Sequence, residues 1–593
     1  MLIENIDVNY PRPTLVRKEW MTLDGEWQFA FDDGNRGLGE KWHLQELPLR
    51  INVPFCYQSK KSGIGDTSKH DCVWYRRNFV LPESYQGKRI ILHFGAVDYA
   101  CTVYVNNSVA LQHTGGHVPF CTDISDYLMS GENVLCLRIT DPAALDQPRG
   151  KQCPADQIDR CWYTPTTGIW RSVWLEPVSD TSVESLYITP NRKDHAVSMK
   201  FMLRGACEAA ALSVQVSCNN SLVCKSTIAC LSNCTELSLH IPPQDFVDDI
   251  HCWSADHPVL YSVTVCLEKD GIETDRFNSY FGMRDIEVRN SLVLLNGRPF
   301  YQKLVLDQGY WRDSLLTPPD GDAMLSDILA IKQMGFNGVR MHQKIEDERF
   351  YYFADVVGLV VWAEMPSSYA FTEAAMRRTA DEWIEAVTYL RNHPSILVWV
   401  PLNESWGVRD ILHNKAQQQF ACSLYALTKA LDPTRLVSTN DGWEQVTSDL
   451  CSIHDYFPNA ASFERRYADL NNLLSRDAEG RMLYAQGFSY EGQPVILSEY
   501  GGISFGIERS DSTWGYNEHA SDSEAFLSSI SSMTQSVRKH PQIQGFCYTQ
   551  LTDVMQEVNG LMDMDHKPKA DPKLLRKIFC FADEKLLSGY VKD

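Results

Sequence analysis

No apolar run in the chain approaches the ~20 residues that a membrane-spanning helix requires, so a bilayer is not an expected solvent. Basic residues are the minority: Lys and Arg number 55 against 76 Asp and Glu, for a formal charge of -21. Nucleic acids and anionic membrane surfaces need a basic face, so neither is an expected partner, and a neutral or small substrate fits better. No CxxC pair occurs among the 18 cysteines. The densest group, Cys218, Cys224, Cys230 and Cys234, includes no His and lacks zinc-ribbon spacing, so it reads as small apolar side chains. Scattered thiols suit a reduced, cytoplasmic protein. The first residues, MLIENIDVNYPRPTL, are acidic where a signal peptide would be basic and then apolar, so secretion is not expected. Low-complexity linkers and internal repeats are also missing.

What remains is a chain of 593 residues, too long for one core at roughly 100–200 residues per domain. Residues 1–178 carry short β-branched and aromatic runs broken by Gly, Asn and Asp, such as RIILHFGAVDYACTVYVNN and ENVLCLRITD, and predict a jelly-roll-like β-sandwich. Residues 179–288 repeat the pattern at the spacing of an immunoglobulin-like sandwich, with VSMKFMLRG, LSVQVSC and YSVTVCLEKDG. From residue 289 to 593 strand and helix alternate: DAMLSDILAIKQMGFNGVR places Met324, Ile328, Ile331 and Met334 on one helical stripe and stops at Gly335 before a buried strand. Eight such strand candidates predict a (β/α)8 TIM barrel.

A barrel of this kind builds its site at the C-terminal ends of its strands. Those ends supply Asp307, Arg340 with His342, Glu364, Asn403 with Glu404, Asn440 with Asp441, His454 to Tyr456, Glu499, and Tyr548 with Gln550. Glu404 in VWVPLNESWG follows strand four and Glu499 in PVILSEYGG follows strand seven. Two carboxylates facing one sugar divide the work of retaining glycoside hydrolysis: one protonates the leaving oxygen and the other attacks the anomeric carbon. They must start in opposite protonation states. Trp406 beside Glu404 predicts a raised pKa there, and Arg340 predicts an ionised Glu499.

The segments NHPSILVWVPLNESWG, PVILSEYGG, GIWRSVWLE and LLNGRPFY resemble glycoside hydrolase family 2 over nearly the whole chain. That resemblance implies a sugar-binding sandwich, an immunoglobulin-like sandwich and a catalytic barrel in that order. It implies Glu404 as general acid/base, Asn403 as partner of the substrate 2-hydroxyl, Glu499 as nucleophile and Tyr456 as a tyrosine beside the nucleophile. It implies a β-galactoside or β-uronide (glucuronide or galacturonide) as substrate. Two departures stand out. After strand two the chain reads RMHQKI, so Arg340 matches while the family's His position holds Gln343, with His342 one residue earlier. After strand eight the Asn-x-Lys motif by which the family's glucuronidases receive the uronate is absent, since Asn559 is followed by Gly560 and Leu561. The family's large β-galactosidases carry further domains after the barrel, near whose end this sequence stops, and a three-domain form is expected.

The other candidates have competing readings. Asp307 either accepts from a sugar hydroxyl or caps its loop. Trp162, with Tyr163, either faces the barrel mouth from the first domain or packs between domains. Trp443 is expected as pocket wall, Glu444 as a loop carboxylate and His454 as a satisfied structural histidine. Lys344 follows strand two, where an ammonium would receive a sugar carboxylate, aided by Arg340 or Arg312; the alternative is an ion pair with Glu346 or Glu348. No cofactor or metal is expected, and homo-oligomerisation stays open. The expected function is a retaining exo-β-glycosidase acting on small-molecule or oligosaccharide glycosides. A catalytically silent carbohydrate-binding protein on the same scaffold is the alternative, disfavoured because such a protein needs neither Glu404 nor Glu499.

Overall fold

The computed structural model describes residues 8–580 apart from 155–157, 159, 245–248, 470–472, 475–479 and 507–512. Residues 1–7, on which the N-terminal reading draws, and residues 581–593, the end of the third expected unit, lie outside the described residues. Within them no helix is long and apolar enough to cross a membrane.

The first unit is built from a six-stranded and a four-stranded sheet. Its longest ladder pairs Cys72–Val80 antiparallel with Glu132–Thr140. Trp27, Val73, Leu92, Phe94, Leu137 and Leu175 from the two sheets share one core. The second unit stacks a three-stranded on a four-stranded antiparallel sheet. Period-two alternation is clean there. In Ala196–Arg204 the side chains of Val197, Met199, Phe201 and Leu203 are buried, while those between them face outward. Each buried one contributes roughly 1.5–3 kcal/mol of transfer free energy.

The third unit is a curled parallel sheet of eight strands: β1 Gln302–Asp307, β2 Gly338–Met341, β3 Val360–Glu364, β4 Ile396–Val400, β5 Leu436–Val437, β6 Cys451–His454, β7 Val495–Gly501 and β8 Ile543–Thr549. Hydrogen-bonded ladders run in the order β5-β4-β3-β2-β1-β8-β7-β6. The seam between β5 and β6 is bridged by Ser452, whose Oγ accepts from Gly442 N at 3.0 Å and whose carbonyl accepts from Gln445 Nε2. Helices cover these strands outside and side chains fill them inside, so they are buried on both faces; β4, Ile-Leu-Val-Trp-Val, is wholly apolar and has no exposed residue. A (β/α)8 barrel is the arrangement that the strand and helix pattern predicts.

The first unit docks on the mouth of this barrel. Gly150 N donates to Ser367 O at 3.1 Å, and Tyr163 OH donates to Glu557 Oε2 at 2.6 Å. The second unit is pinned below by Arg284, which donates to the carbonyls of Pro394 and Ile396, both at 3.0 Å.

Candidate active site

Arg340, on β2 and with no exposed surface, is the hub of the mouth. Its Nε donates to Glu364 Oε2 at 2.7 Å, its Nη1 to Glu499 Oε1 at 2.8 Å and its Nη2 to Asn403 Oδ1 at 2.7 Å; Asp441 Oδ2 lies 3.0 Å from Nη1. One guanidinium thus organises groups from four other strand ends, which its five fixed donors suit. Asn403 gives its oxygen to Arg340, and its Nδ2 has no partner among the described residues.

Past β4 the chain makes a short parallel bridge, Leu402–Asn403 with Asn440–Asp441, and then turns through two consecutive left-handed residues, Glu404 (φ 49) and Ser405 (φ 53). Such backbone is costly for residues with a Cβ and persists where neighbours over-determine it. Here Glu404 N donates to Asp441 O at 3.0 Å, Ser405 N to Asn440 Oδ1 at 2.9 Å and Ser405 Oγ to Glu444 Oε2 at 2.6 Å. Glu444 therefore positions the turn that carries Glu404.

Glu404 and Glu499 converge on His454, the last residue of β6. His454 Nδ1 lies 2.8 Å from Glu404 Oε1, and Nε2 lies 2.9 Å from Asp441 Oδ2 and 3.4 Å from Glu499 Oε1. The ring fits because residue 442 is glycine: a Cβ there would stand 2.3 Å from it. Tyr456 OH donates to Glu499 Oε2 at 2.5 Å, and its ring stacks on Tyr516 at 3.7 Å. The side chain of Glu404 is 17% exposed against 5% for Glu499, so Glu404 stands nearer the opening.

The protonation pattern differs from the one expected from Trp406. Burial alone would raise Glu404, but the hydrogen bond and charge of His454, with Lys151, outweigh it and hold the carboxyl near 2. His454 moves the other way. Burial disfavours its charge, yet Glu499, Asp441 and Glu404 raise it to about 10. The resting proton therefore sits on His454, and the expected structural histidine is an electrostatic partner of both carboxylates. Glu364 is pushed up to about 7 by burial, opposed by Arg340. His342 is held neutral by burial and by the nearby charges of Lys151 and Arg340.

Because His454 titrates above its ordinary value of 6.5, its stabilising contribution is fully present below that pH and is lost as pH rises through about 10. Melting curves of the wild type and His454→Gln, recorded from neutrality to about pH 10, should converge at the alkaline end. A gap that does not change with pH would show that the ring's charge is not what holds the cluster.

An aromatic wall borders Glu404. Trp406 Nε1 lies 3.3 Å from Glu404 Oε2, and its ring meets Trp162 at 5.2 Å, Tyr369 at 5.2 Å and Trp443 at 6.3 Å. Arg409 lies over Trp406 at 3.4 Å and Arg481 over Trp443 at 3.7 Å. Trp162 and Trp443 are thus at the mouth, whereas Tyr163 is buried between the domains.

Three expected contacts fall elsewhere. Asp307 accepts from Gly309 N at 2.8 Å and faces Asp327 and His566 in the helix layer, where burial and Asp327 raise its pKa to about 6; it caps its loop. Tyr548 packs on Phe579 at 5.6 Å and Tyr500 at 5.5 Å, outside the barrel. Lys344 is buried, donates to the carbonyls of Gly309 and Leu316, each at 2.8 Å, and pairs with Glu346, so its ammonium is spent on structure. Arg312, its expected helper, pairs with Asp565 at 2.5 Å. Glu404, His454 and Glu499 carry ligand atoms within 4.8 Å of one another, a spacing a metal ion would accept. Both nitrogens of His454 already face carboxylates, however, and a metal would have to displace its proton.

Comparison with known proteins follows the same lines. The model for the sugar binding domain of glycosyl hydrolases family 2 matches residues 20–177, a further family 2 model matches 181–284, and the family's TIM barrel domain matches 286–582. A β-galactosidase of Thermoanaerobacter pseudethanolicus is 28% identical over 400 residues, spanning 65% of this chain and 51% of that protein. A β-glucuronidase of Canis lupus familiaris is 26% identical over 542 residues, spanning 83% of this chain and 79% of that protein. The solved structure of a β-glucuronidase from Ruminococcus gnavus in complex with D-glucuronic acid superposes with a TM-score of 0.77 at 18% identity, covering 97% of this chain and 99% of that one, a likeness of fold. With its three units matched in order and the barrel model alone spanning half its length, the chain belongs to glycosyl hydrolases family 2 and is an O-glycosyl hydrolase.

Proposed function

We propose that the protein is a retaining exo-β-glycosidase that cleaves small β-uronides or β-galactosides by double displacement, with Glu499 as nucleophile and Glu404 as general acid/base. One observation carries this reading: an oxygen of Glu404 and an oxygen of Glu499 lie within 4.8 Å of each other. Retaining pairs have carboxyl groups about 5–5.5 Å apart, whereas inverting pairs stand roughly 6.5–9.5 Å apart to admit a water. Glu499 is held for attack by Arg340 on one oxygen and Tyr456 on the other. Glu404 stands at the more open side, where a leaving group departs.

The proton for that departure starts on His454, one hydrogen bond from Glu404. As Glu499 becomes an ester it loses its charge, and with it part of the field that keeps His454 protonated. His454 then releases its proton more readily toward Glu404 as the leaving oxygen gains charge. The cysteines are free thiols, which suits a reducing compartment such as the cytoplasm.

A panel of 4-nitrophenyl β-glycosides tests the activity, and the anomer first released, followed by proton NMR, tests its stereochemistry. The β anomer is expected; direct release of the α anomer would replace double displacement with inversion.

A further inference from the structure

Lys344 is spent, yet another buried ammonium reaches the pocket, and it comes from the first unit. Lys151 lies between the strands Glu132–Thr140 and Gly168–Ile169, in the segment that docks on the barrel mouth. Gly150 (φ +59) lies so close to the loop after β2 that a Cβ there would stand 2.4 Å from Gln343 O. Tyr369 OH donates to Gly150 O, and Tyr163 N donates to Lys151 O at 2.9 Å. These contacts hold the backbone of Lys151 against the barrel mouth. Its side chain is buried, with the residue 7% exposed, and its charge faces Cys161, Glu557, Tyr369 and Glu404, with His342 beyond. No carboxylate of the described residues comes within 4.0 Å of its Nζ. The buried Lys344 and Lys569, by contrast, each hold one, Glu346 and Asp553.

Burial disfavours the charge of this ammonium, but Cys161, Glu557, Tyr369 and Glu404 outweigh it and keep Lys151 protonated without a carboxylate in direct contact, so an incoming anion has a contact position to take. The depth of Lys151 selects that anion's source. Arg409 stands exposed at the rim over Trp406, within reach of an aglycone, while Lys151 lies buried with its charge facing Glu557 and Glu404, on the side of the site where the glycosyl unit must sit. We propose that Lys151 receives a carboxylate carried by the glycosyl unit itself, so that the preferred substrates are β-uronides; this rests on the glycosidase reading above. It supplies from the first domain a cation that is missing two residues after Asn559, where Gly560 and Leu561 follow.

The test compares kcat/KM for 4-nitrophenyl β-glucuronide and β-galacturonide with the corresponding glucoside and galactoside, in the wild type, Lys151→Met and Lys151→Arg. A 4-carboxyphenyl β-galactoside places the acid on the aglycone instead. The wild type should prefer a uronide, and in Lys151→Met the ratio of uronide to neutral rates should fall about 10- to 100-fold, the size of a lost charge-assisted contact. Lys151→Arg should recover part of it. Binding without turnover gives a second reading: D-glucuronate should raise the melting temperature of the wild type more than D-glucose does, and the difference should vanish in Lys151→Met. Lys151→Gln repeats both measurements if Lys151→Met does not fold.

Equal losses on uronides and neutral glycosides, or an unchanged ratio, would overturn the proposal, as would a loss confined to the carboxyphenyl substrate. A wild type that prefers neutral glycosides overturns it while leaving the glycosidase reading in place. If no β-glycoside is cleaved, the glycosidase reading fails, and the glucuronate melting shift alone decides whether Lys151 receives a carboxylate.

Discussion

Glu499→Gln should fold as the wild type does and lose kcat by on the order of 10³-fold or more, because the proposed double displacement would be left without its nucleophile. The amide keeps the shape of the side chain and still offers an oxygen to Arg340, whose Nη1 reaches Glu499 Oε1 at 2.8 Å in the native site. Arg340 retains Glu364 and Asp441, so no buried cation is left unpaired. The barrel loses little stability while the chemistry loses its attacking group. Steady-state rates on the best chromogenic substrate check the first half and thermal melts the second. A 2-deoxy-2-fluoro glycoside should also trap the wild-type enzyme as an ester on the peptide that contains Glu499. Turnover near the native rate in Glu499→Gln would remove this residue from the mechanism.

Arg340→Met is expected to act on stability as strongly as on rate. The guanidinium is the common partner of Glu364, Asp441 and Glu499, all three nearly without exposed surface. Removing one side of a buried ion pair typically costs about 3–5 kcal/mol, since the remaining charge is left desolvated and uncompensated. Here three carboxylates lose their cation together, and only His454 remains to offset Asp441 and Glu499. A loss of at least about 3 kcal/mol in unfolding free energy should appear in denaturant titrations. Activity should vanish with it, because Glu499 and Asn403 are both oriented by this side chain. Arg340→Lys should recover only part, as one ammonium cannot span four acceptors. A loss below about 1 kcal/mol in Arg340→Met would mean that the carboxylates relax into solvent and that Arg340 is not the hub of the site.

Most of the architecture was legible in the sequence because it rests on local periodicity. Val197, Met199, Phe201 and Leu203 alternate in the second unit, and the apolar β4 strand ends in Asn403 and Glu404. A strand end in a barrel is a defined place, so Glu404 and Glu499 could be named from chain order alone.

The misplacements have one cause, which is direction. Successive residues of a strand face opposite sides, and a list of strand ends ignores that parity. Gln302 points inward, accepting from Trp362 Nε1 at 2.7 Å, so Asp307, five positions on, faces the helices. Tyr548 is the outward neighbour of Cys547, which faces Arg340 and Glu499. Counting parity back from Arg340 and its neighbours would have flagged both. No count would have found the charges. His454 becomes a cation because carboxylates from three other strand ends surround it and Gly442 leaves room for its ring. Lys344 and Lys151 each stand beside a Gln in the sequence, Gln343 and Gln152; only the folded chain pairs the first with Glu346 and leaves the second facing Glu557 and Glu404 without a carboxylate in direct contact. The sequence by itself determined which elements form and which carboxylates stand at the barrel's working end, since these follow from short-range pattern. Tertiary structure alone decided which way each side chain points, where the proton rests and which ammonium is unspent, because those depend on the summed field and burial contributed by strands and a domain far apart in the chain.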